Sequence, residues 1–151
     1  MSTVARSLGK GSLFEFEGKS YTASPWTYDV QAEYEKWLIA RSFADLRAAA
    51  GELGAEYEDE RAALRRDVNA GVYEFGSDLV RRSVLSGRGV KKLLYLCLAY
   101  AHRHEPGRVT EALVDRLEKD PAAWPVAVQA MWDANADPSP PPAGEPPAAA
   151  A

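Results

Sequence analysis

At 151 residues and a formal charge of −4, the chain is about one domain long, and its four Trp and seven Tyr are ample for a single buried core. The mild acidity gives no reason to expect tight overall binding to nucleic acid or to anionic membranes. One cysteine, Cys97, excludes an intrachain disulfide and does not call for an oxidising compartment. The first 16 residues lack the apolar core of a signal peptide. The longest apolar run, Leu93 to Ala101, falls far short of the roughly 20 residues that span a bilayer. The expectation is a soluble protein of a reducing cytoplasm.

Residues 1–12 mix Ser, Gly, Arg and Lys without a period and are expected to be loose. Leu13 to Phe16 and Ser20 to Thr22 alternate around Gly18 and read as a short two-stranded hairpin. Two strands are marginal alone, so Phe14, Phe16 and Tyr21 are expected to face helices. A first helix follows, capped by Ser24 before Pro25 or by Thr27. Val30, Tyr34, Trp37, Leu38 and Ala44, widened by Phe43 and Leu46, mark its apolar face. It is expected to stop at Gly51.

A second helix, about Ala55 to Asn69, is densely charged, with acids first and bases later, as the helix dipole favours. An aromatic loop, Val72 to Phe75, leads to Ser77, the cap of a short third helix. Ser86-Gly87-Arg88-Gly89 reads as a break before a fourth helix, about Val90 to Arg103. That helix is apolar on nearly every face, which marks a buried one, packed by Trp37 and Leu38. Thr110 and Asp120-Pro121 open a fifth and a sixth helix. From Asp137 onward the chain is rich in Pro and Ala and cannot build a core. The fold class is therefore mainly α. A small bundle of about five or six helices with an N-terminal β-hairpin forms one domain over 13–135, before a disordered Pro/Ala-rich tail at 136–151.

Catalytic chemistry finds little support. His102 and His104 are two residues apart, so their rings diverge by roughly 200° on a helix and no further ligand set completes a metal site. Cys97 lies inside the apolar run and reads as a small core residue. Gly87 to Lys92 lacks the spacing of a phosphate loop. No enzyme, cofactor or metal is expected. Segment 81–108 is basic, with seven Arg and Lys against Glu105, but its apolar centre breaks any continuous positive stripe, which argues against nucleic acid. Aromatic residues are frequent binding anchors, and Trp26, Tyr28, Tyr73, Phe75, Trp124 and Trp132 are the candidates for a partner-binding surface.

From Gly18-Lys19-Ser20-Tyr21 through Trp26-Thr27-Tyr28-Asp29-Val30 to Trp37-Leu38, the chain resembles the tail assembly chaperones of long-tailed bacteriophages. The charged second helix, the Tyr73-Glu74-Phe75-Gly76 loop, the apolar Leu93–Ala101 helix and the Pro-rich end extend the likeness over about residues 13–135. The resemblance implies binding of the tape measure protein, which such chaperones keep soluble while the tail tube polymerises. It also implies action in the host cytoplasm, absence from the mature virion, and self-association or a longer frameshifted form. The alternatives are a structural phage protein kept in the virion, such as a head–tail connector or minor tail protein, and a small nucleic-acid-binding regulator resting on segment 81–108.

Overall fold

The computed structural model describes residues 11–136. The expected loose N-terminus and the Pro/Ala-rich tail lie outside the described residues, apart from Gly11, Ser12 and Ala136. Strand β1 (Ser12–Phe16) pairs antiparallel with β2 (Lys19–Ala23), Phe16 standing opposite Lys19. The turn residues Glu17 and Gly18 have φ of 51° and 75°, the two left-handed residues of a tight hairpin turn whose twist matches its strands. Strand alternation puts Phe14, Phe16, Tyr21 and Ala23 into the core. Ser12 is buried with them, so the ordered strand starts one residue before the expected Leu13.

Helix α1 (Tyr28–Ala48) is capped by Thr27, whose hydroxyl accepts the Val30 N–H at 3.3 Å. Its first half buries Val30 and Tyr34 and lays Trp37 and Leu38 on the core, across α4 (Gly87–Ala101). Its second half leaves the core, with Ala44 exposed and Phe43 and Leu46 half-buried. The expected stop at Gly51 does not occur. A single helical turn, Ala50–Leu53, carries the chain through Gly51, and the reversal falls at Gly54, where φ is 57°. Glycine inside a helix costs only about 1 kcal/mol relative to Ala, whereas a positive φ favours glycine strongly. The break therefore goes to the second glycine. A 3-10 turn, Gly54–Glu56, delays α2 (Tyr57–Asn69) by two residues. Helix α2 leans chiefly on α1 and has no buried residue.

Helix α3 (Asp78–Val84) is capped by Ser77 and buries Val80 and Val84. Ser86-Gly87-Arg88-Gly89, read from sequence as a break, is instead the start of α4: the Ser86 hydroxyl accepts the Gly89 N–H at 3.1 Å. Leu93, Leu94, Cys97 and Leu98 are all at 0% exposure, and α4 touches β2, α1 and α3 as well as α5 (Glu111–Lys119) and α6 (Ala123–Ala134). It is the axis of the core. Thr110 caps α5 through the Leu113 N–H. The Asp120 carboxylate holds the Ala122 and Ala123 N–H groups at 2.9 and 3.0 Å to start α6. Helix α6 then closes the domain against β1. No helix among the described residues is long and apolar enough to cross a membrane.

Candidate partner-binding surface

Three of the six aromatic candidates meet. Trp26 leads into α1, Phe75 sits in the loop before α3, and Trp132 lies on α6. The Trp26 ring stands edge-on to Phe75 at 5.5 Å and to Trp132 at 5.3 Å. Phe75 in turn meets Tyr34 at 6.0 Å. Backbone contacts fix this cluster: Trp26 N–H donates to the Asn135 side-chain oxygen at 2.6 Å, Gln31 donates to the Trp26 carbonyl, and the Phe75 N–H donates to the Glu35 carboxylate. Edge-to-face rings in such a cluster add about 0.5–1.5 kcal/mol per pair. These aromatics are partly buried and packed on the core, so they act first as packing and offer only their rims to a partner.

The other three stand apart. Tyr73 is buried, at 8% exposure, and borders a cleft between α1 and α2. Trp124 packs on the core from the start of α6. Tyr28, the first residue of α1, is 89% exposed. A helical pattern fixes spacing along one element but not which neighbouring element covers a given ring, and that separates these six.

One open apolar recess is lined by none of the six candidates. Leu13 on β1 and Val126 on α6 are 63% and 53% exposed. They flank one groove of about 330 Å³, completed by Pro125 and Ala130 with Ser12, Gln129 and Asp133 at its edge. Leu13 is the outward residue of an alternating strand and Val126 belongs to the first turn of a helix, so neither stands out in sequence. Only the packing of α6 on β1 brings them together.

His102, at the end of α4, has a structural part that residue spacing did not disclose. Its Nε2 accepts the Thr22 N–H of β2 at 2.9 Å, and its Nδ1 meets the Glu105 carboxylate at 2.6 Å. Nε2 is thus the bare nitrogen and Nδ1–H the donor. The same hydrogen bond holds the Glu105 carboxyl below its usual pKa. His104 is exposed, and no group of three metal-binding side chains forms among the described residues. Burial pushes the Cys97 thiol up to about 12, with Ser24 and Trp26 pulling weakly the other way, so it is a protonated core residue.

The basic segment 81–108 does not present one face. Arg108 donates to the Ser20 carbonyl at 2.7 Å and lies over the Tyr21 ring, while Arg103 covers Tyr100. Arg81 pairs with Asp78, and Lys91 with Asp115 and Glu118. No family model, curated protein or solved structure matches the chain.

Proposed function

We propose that the chain is a binding protein, and specifically a bacteriophage tail assembly chaperone that holds the tape measure protein soluble in the host cytoplasm and is left out of the mature virion. The observation that carries this is the groove between β1 and α6. Large aliphatic side chains stay more than half exposed at Leu13 and Val126, in a recess lined by Pro125 and Ala130. An apolar recess left open on a small domain suits a client with an apolar stripe, such as an amphipathic helix laid along it. Trp132, also on α6, with Trp26 packed against it and Phe75 against Trp26, offers a separate, partly buried aromatic rim. The identity of the client rests on the resemblance of the Gly18–Leu38 stretch.

Co-expression tests the proposal. The wild-type chain should keep the tape measure protein of the same phage in the soluble fraction and co-purify with it. The Leu13→Glu/Val126→Glu double variant, altered only at exposed positions, should fold and fail to do so. A client that is equally insoluble with the wild-type chain, or equally soluble with the variant, contradicts the proposal. Mass spectrometry of purified particles adds a second check, because a stoichiometric signal for this chain would make it a retained structural component instead.

A further inference from the structure

On a different face, α1, α4 and α5 converge on a shallow pocket of about 260 Å³. Trp37 and Arg41 come from α1, Arg88, Lys92 and Tyr95 from α4, and Val114 from α5. The cations are stacked on the rings: Arg41 lies 5.3 Å from the Trp37 centroid, and Lys92 lies 6.0 Å from Trp37 and 5.1 Å from Tyr95. Lys91, on the rim, is already neutralised by Asp115 at 2.7 Å and Glu118 at 3.1 Å. Arg41 has only the loose contact to Asp45 at 3.7 Å. Among the described residues, Arg88 and Lys92 have no carboxylate at ion-pair distance.

Arg88 and Lys92, which have no ion-pair partner among the described residues, and Arg41, with only its loose contact to Asp45, repel one another across the pocket, and an anion placed between them relieves that repulsion. We propose that this pocket binds a single carboxylate presented by an acidic segment of a partner protein. The planar guanidinium groups of Arg41 and Arg88 suit a carboxylate, which accepts two parallel hydrogen bonds from such a fork. Val114 and the edge of Trp37 supply apolar walls for the methylenes of a Glu side chain. Two features select this ligand over nucleic acid. The ring faces that would stack a base are covered by the protein's own Arg41 and Lys92. Glu111 on the α5 wall opposes a continuous phosphate chain more than it opposes one carboxylate.

The chaperone proposal rests on the groove between β1 and α6, so either reading can fail without the other. Fluorescence anisotropy on the full chain tests this one. The probes are a labelled hydrophilic peptide of Glu, Gly and Ser with no apolar stripe for the groove, its counterpart with Gln in place of Glu, and single-stranded oligothymidylate. The Glu peptide should bind, weaken as salt rises, and bind roughly tenfold more weakly to the Arg41→Gln/Arg88→Gln/Lys92→Gln variant. A control with the same charge loss at exposed sites elsewhere, Arg65→Gln/Arg66→Gln/Arg82→Gln, should bind it as wild type does. An equal loss in both variants, no binding of the Glu peptide, equal binding of the Gln peptide, or tighter binding of the oligonucleotide would each overturn the proposal.

Discussion

Gly89→Ala is the sharpest test of how the core is assembled. Gly89 lies in the first turn of α4 and is buried, at the point where α4 passes the end of α3 and the middle of α1. A Cβ built there would fall onto the Ser83 carbonyl and within 2.6 Å of the Tyr34 hydroxyl. That hydroxyl is itself committed to the Ser83 side chain at 2.5 Å. Because one obstacle is backbone, no rotamer change removes it, and α3 and α4 must separate. Overpacking of this kind costs typically 1–3 kcal/mol, and the loss of the Tyr34–Ser83 hydrogen bond adds about 1 kcal/mol. Against these, Ala gains up to about 1 kcal/mol over Gly in helix propensity. The net expectation is a loss of about 2 kcal/mol. Gly87→Ala, two residues earlier with nothing within 4 Å of its Cβ, is the control and should be neutral or slightly stabilising. Urea unfolding followed by tryptophan fluorescence should shift the midpoint for Gly89→Ala at unchanged slope. If the two variants were equally stable, the close passage of α3, α4 and α1 would be wrong.

Cys97 should react with a thiol reagent only after unfolding, since burial holds the thiol near 12; rapid native-state labelling would contradict its place in α4. The pKa of Glu105 is depressed in the fold by its contact with His102, so this carboxyl adds stability above its unfolded pKa and loses it as pH falls through the lower folded value. Wild type should therefore lose slightly more stability than Glu105→Gln when urea midpoints are compared between neutral and acidic pH, and equal losses would count against the contact. Helix α2 leans chiefly on α1 and has no buried residue, so hydrogen exchange should be faster over Tyr57–Asn69 than over Leu93–Leu98. Protection of α2 equal to that of α4 would show a support for it that this fold does not contain.

Local chemistry made much of this architecture readable. Thr27, Ser77 and Thr110 cap helices because each places a hydroxyl before an apolar period, and those signals lie within four residues of one another. The Leu93–Ala101 run announced the central helix by having no polar face. What stayed hidden depended on choices between near-equivalent signals or on distant partners. Gly51 and Gly54 are both plausible stops, and only the backbone angle at Gly54 decides. Ser86-Gly87-Arg88-Gly89 contains both a cap and two breakers, and the cap prevails because the Gly89 N–H is satisfied by Ser86. The candidate surface was the least legible. Trp26, Phe75 and Trp132 are joined by packing across more than a hundred positions, while the groove at Leu13 and Val126 and the cationic pocket at Arg41 and Arg88 need two or three helices or strands in register before they exist.

The seating of α6 on β1 has a consequence for biosynthesis. The strand is made first and the helix that covers it about a hundred residues later, so during translation the apolar face of the hairpin has no complete cover. Helix α4 can dock on β2 as it emerges, but β1, with Phe14 and Phe16, waits for the last helix. Contacts of such sequence separation are slow to form and leave sticky surface exposed meanwhile. A chain cut before Ala123 would therefore keep most of its helices and still be prone to aggregate, because what it lacks is the lid for its own first strand.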